Sequence, residues 1–443
     1  MNIILVDANT YEKEIESELA RLKDDYYRVK FLVRNKLLGK HVMPKKRTYS
    51  IGLLRIATIL VQNHYNVKYV HFYNLEYFLS HEEFYPDIIA FSAVCPTIPL
   101  CSKFVQLNRK KYSNVKFVLG GAQLNAAPEL TKRLFGNFDI YSVGYDVEAA
   151  EQIVSAKLIK PVCEYVDFSL LPYEISEYAI NTCSTLGCPY TCNYCQDRLI
   201  PYKQISENGF IPFFMKKLPS KTCVHFFDSV LGGGEKRILQ ICKNISETNH
   251  SFLLSCDIRA ELINEKTIDA LVSAGFVEVR IGLESADDEL LRHNNRYLTL
   301  NNVLNKIQLI RKRSNIYITL YSAIGFPGTT KESIRLTKEL FFDLLRSRAV
   351  DEIKNCIFVP YPLDFQRFLL EDIEIIDENW ENYDRQSKPV YNLSNIKSHE
   401  LWEEYLDLTN LIVKGWMNGF KITKSDIDSA PKYSEYIIKS YNI

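Results

Sequence analysis

No apolar run in this chain of 443 residues is long enough to cross a bilayer, and the start, Met1 to Asp7, is too short and lacks the basic flank of a signal peptide. Net charge is missing too. The 54 lysines and arginines balance 54 aspartates and glutamates, so no overall field gathers nucleic acid or an anionic membrane surface. Glycine is scarce at 17 residues while tyrosine, isoleucine, asparagine and lysine are plentiful, a bias that speaks of an AT-rich genome and not of chemistry. Eleven cysteines without an export signal argue against a disulfide frame and for metal ligation in a reducing compartment, so the expected setting is cytoplasmic, with neither membrane nor nucleic acid as partner.

Against these absences stands one dense motif, Cys188-Pro-Tyr-Thr-Cys192-Asn-Tyr-Cys195. Three thiols at C-x3-C-x2-C are what a short loop needs to hold three corners of a cubic iron-sulfur cluster, leaving one iron free to take a substrate or cofactor. A structural zinc site is the alternative, but its fourth ligand would have to be Cys183, because the next histidine, His225, is far downstream. Gly187, Pro189 and Tyr194 around the thiols weigh against zinc. The other eight cysteines have no ligand spacing and read as small buried hydrophobes, with Cys95 and Cys356 the best exceptions.

Around the motif, apolar runs at 178–183, 222–227, 251–256, 277–282, 316–324 and 353–359 alternate with helical patterns at 235–247, 264–274, 301–313 and 331–346. Repeated strand-helix units of this spacing predict a partial, open (β/α)6 barrel with its reactive groups at the C-terminal strand ends. The first 165 residues have another rhythm: strands at 2–6, 67–71, 87–92, 115–119 and 139–142, with helices at 51–64, 98–111, 127–135 and 147–154. That is a doubly wound, Rossmann-like α/β pattern, whose ligands sit beyond the C-terminal sheet edge. The expected domains are 1–165, 166–362 and a mainly α segment 363–443, whose three tryptophans and helix at 398–415 either close the barrel mouth or form core.

The cysteine loop, with Tyr194 in the aromatic place, resembles the signature of the radical S-adenosylmethionine (SAM) enzymes. The resemblance implies that Cys188, Cys192 and Cys195 ligate a 4Fe-4S cluster, whose open iron is chelated by SAM. Reductive cleavage would give a 5'-deoxyadenosyl radical that takes hydrogen from a substrate. The strand ends Asp228-Ser229, Arg259, Glu284-Ser285 and Gly325-Phe-Pro-Gly328 resemble, in order, those of the class that also carries a cobalamin-binding domain. By that resemblance Asp228, Ser229, Arg259, Glu284 and Ser285 face SAM or substrate, and the backbone at Ile324 and Gly325 lies along the adenine. The first domain resembles that class's cobalamin-binding domain through Pro86 to Ser92, Val118 to Gly121 with Pro128-Glu129, and Asp139 to Gly144, which makes Ser92, Gly120, Gly121 and Gly144 the expected cobalamin contacts.

Two departures stand out: the D-x-H-x-x-G motif that supplies an axial histidine is absent, and Gln123 stands where many relatives carry histidine. The class implies cobalamin-dependent methylation of an unactivated carbon, with a small molecule or peptide as substrate and a flavodoxin or ferredoxin as electron donor. The alternative is a cobalamin-free radical rearrangement, cyclisation, epimerisation or oxidation with the first domain as scaffold. A zinc-binding protein is the remote third.

Overall fold

The computed structural model describes residues 1–9, 17–39, 47–159, 166–205, 218, 222–248, 250–294, 298–363, 372–385 and 387–432; Cys163 lies outside them. Five parallel strands form the first sheet: β1 (Asn2–Ala8), β2 (Asn66–His71), β3 (Ile88–Ala93), β4 (Lys116–Gly120) and β5 (Ile140–Tyr141), ordered β2-β1-β3-β4-β5. Ile3 to Val6 have no accessible surface, as expected of a parallel strand covered on both faces. The connection reverses direction between β1 and β3, and the crevice above that switch point is where such sheets bind ligands. At its rim Asp7 accepts from the backbone of Asn9 at 3.0 Å and of Ser50 at 2.8 Å, tying β1 to the start of helix Ile51–Gln62. The expected helix at 127–135 is Pro128–Leu134, and a further short helix, Ala122–Ala126, precedes it, the two parted at Ala127 because Pro128 disfavours helical geometry there.

The second sheet begins at β6 (Ile180–Thr182). The short antiparallel pair β7 (Thr185–Leu186) and β8 (Lys203–Gln204) then closes the base of the cysteine loop. β9 (Cys223–Phe226), β10 (Leu253–Ile258), β11 (Phe276–Glu284), β12 (Tyr317–Ile324) and β13 (Glu352–Ile357) follow, pairing in parallel in chain order from β6 to β13. Among the described residues β6 and β13 do not pair, so the barrel is open, as the strand pattern predicts.

Barrels of this kind usually fill their interior with branched apolar side chains; this one places polar groups there. His225 meets Ser255 at 3.0 Å, Arg280 meets His225 at 3.1 Å, Thr319 donates to Glu278 at 2.9 Å and Tyr321 donates to Asp257 at 3.2 Å.

The floor of the barrel is closed by an element the apolar pattern did not single out, the helix Ser17–Leu38. It precedes most of the first sheet in sequence yet packs on the barrel and on the C-terminal helix Ser398–Phe420. Tyr26 donates to the carbonyl of Ile353 at 2.9 Å, and its ring lies 5.0 Å from that of Trp416. Arg34 reaches Glu278 and Glu352, each at 2.7 Å, and Lys30 reaches Glu352 at 2.6 Å. Trp380, Trp402 and Trp416 are all buried, so the C-terminal aromatics are core. A small antiparallel pair, β14 (Ile373–Ile375) and β15 (Tyr391–Leu393), brings Tyr391 against the barrel mouth.

Candidate active site at the barrel mouth

Gly187 opens the cysteine loop at φ 66°, and a Cβ there would sit 2.4 Å from the carbonyl oxygen of Ile200, so only glycine fits this turn. Within the loop the amide of Cys195 donates to the carbonyl of Cys192 at 3.2 Å, and that of Asn193 to Asn294 at 3.2 Å. Tyr194 packs its ring 4.6 Å from Phe326, which fastens the loop to the turn after β12 and gives the aromatic position a structural purpose. Burial pushes the Cys188 thiol up and the Cys195 thiol up to about 12, with Asp197 and the neighbouring thiols adding to the effect. The three thiols thus share one field. A closed zinc site gathers four ligands on one ion. A cubic cluster instead takes each thiol on a separate iron. Three thiols on one loop, with no fourth among them, fit a cluster with one open iron.

The expected SAM contacts divide into two groups. Asp228 is buried and accepts from the Ser184 and Thr185 amides at 2.6 and 2.8 Å and from their hydroxyls at 2.6 and 3.1 Å. Burial outweighs these donors and pushes its carboxyl up to about 6. It lines the large cavity described below while pinning the strand that leads into the cysteine loop. Ser229 also lines that cavity and donates to Asp197 at 2.7 Å. Glu284 sits at a bulge between β11 and β12 with φ 69°, a left-handed conformation that costs a non-glycine residue on the order of 1–3 kcal/mol.

Arg259 turns to the loop, donating to the Cys192 sulfur at 3.6 Å and lying 4.0 Å above the Tyr190 ring. Ser285 meets Thr337 at 3.2 Å and accepts from the Asp287 amide at 3.1 Å, so it faces the following helix. Ile324 is buried, and its carbonyl accepts from Phe358 at 2.9 Å. Gly325 has φ 89°, but the atom closest to an added Cβ, at 2.4 Å, is the Tyr391 hydroxyl, which also donates to the Gly325 carbonyl at 2.9 Å. The space beside this glycine is filled by the chain's own tyrosine.

The expected cobalamin contacts come together. Ser92, Gly120, Gly121 and Gly144 line one cavity of about 410 Å³ in which a water-sized sphere can move. Its opposite wall is the barrel mouth: Cys183, Thr185, Gly187, Phe227, Asp228 and Asp257. At Gly120 an added Cβ would meet nothing closer than 3.5 Å, whereas at Gly121, φ 115°, it would lie 2.2 Å from the Ala93 carbonyl oxygen. The first glycine leaves open cradle and the second lets two strand ends pass. No histidine lines the cavity among the described residues, and Gln123 spends its amide bridging Pro362 and Gln196, so a corrin here would take no protein histidine from these walls. A flat apolar wall with glycine cradle at the sheet edge fits a large planar cofactor.

Phe227, 61% exposed, and Asp257 were not singled out from sequence although both stand at the mouth. The signal is present in the sequence: Phe227 follows β9 and Asp257 stands one residue before the end of β10, each two residues on from an inward-facing side chain, His225 and Ser255. Latches hold the two walls together, since the Tyr49 hydroxyl donates to the Asn181 carbonyl at 2.8 Å and accepts from its amide at 2.9 Å.

Two family descriptions match the chain, the B12 binding domain over residues 44–154 and the Radical SAM superfamily over 182–341. An uncharacterized methyltransferase of Pyrococcus horikoshii is 20% identical over 400 residues, which is 81% of this chain and 84% of that protein. Among solved structures, the radical S-adenosylmethionine methyltransferase TsrM from Kitasatospora setae, with cobalamin and a 4Fe-4S cluster bound, superposes with a TM-score of 0.64 at 14% identity, over 93% of this chain and 89% of that one. The cobalamin-dependent S-adenosylmethionine radical enzyme OxsB, with aqua-cobalamin and S-adenosylmethionine bound, gives 0.54 at 13%, over 93% of this chain and 56% of its own. At such identities the structural likeness establishes the fold.

Proposed function

We propose, for a chain that belongs to the radical SAM superfamily and carries a B12 binding domain ahead of the barrel, that it methylates an unactivated carbon of a small molecule or peptide with the help of cobalamin. One observation carries this reading: a single cavity is walled on one side by the C-terminal edge of the first sheet and on the other by the barrel mouth beside the cysteine loop. A cofactor cradled on the sheet therefore looks straight into the barrel.

With its cofactors bound, such an enzyme has an electron source for splitting S-adenosylmethionine at the cluster and a methyl carrier in the corrin. Cys188, Cys192 and Cys195 are assigned to the cluster. Arg259, close to the Cys192 sulfur, offsets the negative charge that metal ligation leaves there. Asp228 holds the strand end that sets the loop's height, and Ser92, Gly120, Gly121 and Gly144 form the corrin wall. Phe227 stands between the walls and excludes water from the passage. Reduction is assigned to an external flavodoxin or ferredoxin.

The competing reading, in which the first domain is only a scaffold, predicts that filling the cradle changes nothing. Gly120→Phe, whose Cβ is tolerated and whose ring projects into the cavity, is expected to lose at least tenfold in bound cobalt while keeping its iron. Metal analysis after loading with hydroxocobalamin checks this; equal cobalt in parent and variant would place the corrin elsewhere or nowhere.

A further inference from the structure

Inside the barrel the charges do not balance. Lys30 and Arg34 enter from the floor helix, Arg280 projects from β11, and Lys354 stands on β13 two residues above Glu352. Facing these four cations are three carboxylates, Glu278, Glu352 and Asp257. Burial keeps His225 neutral despite its contact with Asp257, so it does not alter the count. One positive charge is in surplus.

Lys354 is the least paired of the four, its charge reaching Glu278 and Glu352 only across space. Lys30 and Arg34 pair with Glu352, Arg34 and Arg280 with Glu278, and Arg280 also contacts His225 and Tyr321. Lys354 makes no ion pair and no hydrogen bond among the described residues, and its ammonium lies 5.4 Å from the centroid of the Tyr321 ring, its register partner on β12. It is not sealed off: Asp257, which accepts from the same tyrosine's hydroxyl, lines the cavity at the mouth and is 23% exposed. Lys354 is half-buried, so its ammonium is open to a ligand that enters from the mouth and accepts from its donors.

We infer that Lys354 binds a carboxylate of the organic substrate, so that the molecule to be methylated enters the barrel anion first and presents its other end to the mouth. This rests on the reading of the barrel as the substrate chamber. A carboxylate's single charge matches the single surplus, whereas a phosphate would bring too much. The chemistry of the lysine agrees. Burial, then the charges of Lys30 and Arg280, hold the Lys354 ammonium down to about 7 against the opposing pull of Glu352 and Glu278, so an arriving anion favours its charged form.

The test uses the full chain with its cofactors, labelled with 15N-lysine, with Lys354→Gln to assign the resonance and acetate, acetamide and inorganic phosphate as probes. Acetate should shift the Lys354 signal saturably and raise its titration midpoint by about one pH unit or more. Acetate affinity should fall roughly tenfold from pH 6 to pH 9, and acetamide should do nothing. A signal that ignores acetate, or that responds equally to acetamide, overturns the inference; a stronger response to phosphate than to acetate overturns the substrate class. Iron and cobalt content, measured on the same samples, reports separately on the proposed function.

Discussion

Cys192→Ala protein is expected to leave anaerobic reconstitution without its 4Fe-4S cluster and to transfer no methyl group, while keeping the fold of both sheets. Cys192 is the middle thiol of the loop, buried, with the Arg259 guanidinium on its sulfur and its carbonyl holding the amide of Cys195. The backbone bond survives the substitution; the sulfur does not. Two thiols cannot anchor a cube that needs three corners held, and the loop itself holds no other cysteine, while Cys183 lines the cavity from the strand before it. The loss should show as missing absorbance of the cluster and a fall in bound iron to near background, with far-ultraviolet circular dichroism unchanged. A variant that keeps parental iron and turnover would remove the loop from the chemistry.

Arg34→Met is expected to cost about 3–5 kcal/mol of barrel stability, the usual penalty for breaking a buried ion pair from one side. Arg34 is the shared partner of Glu278 and Glu352, with side-chain exposures of 8%, 2% and 0% for the three, and it lies 4.9 Å from the Tyr317 ring centroid. Methionine fills much of the volume but leaves two carboxylates with less positive charge between them. Burial alone would raise the Glu352 carboxyl; Lys30, Arg34 and Lys354 outweigh it and hold it at about 2. Because that value is depressed below an ordinary glutamate, the network's contribution is full above the unfolded pKa and is lost as pH falls through the folded one. Without Arg34 the loss should begin at higher pH. Denaturant titrations of parent and variant at pH 7 and pH 4 measure both effects, and a difference below about 1 kcal/mol at pH 7 would make the floor network ornamental.

The strands were legible because buried parallel strands are written as apolar runs, and the cysteine loop because its ligands are local in sequence. What local patterns conceal is partnership over long separations. The helix Ser17–Leu38 is rich in charges, and its key partners lie 244 and 318 residues away, so nothing near it announces that it closes the barrel. Gly325 is similar: a glycine after a strand invites a ligand, yet here Tyr391, 66 residues on, takes the place. Arg259 and Ser285 were correctly placed at strand ends, but a strand end does not say which way a side chain turns. By contrast, Glu278, Arg280, Glu352 and Lys354 occupy alternate positions of two apolar runs, a period-two charge pattern that marks a polar interior.

The central claim is that one chain holds a cluster and a corrin face to face. It is tested most directly by iron and cobalt analysis of protein produced with cobalamin and reconstituted without oxygen. The expected result is about four irons and about one cobalt per chain, with both absorbing in the visible spectrum. Four irons without cobalt would contradict it and leave the first domain a scaffold for a cobalamin-free radical reaction.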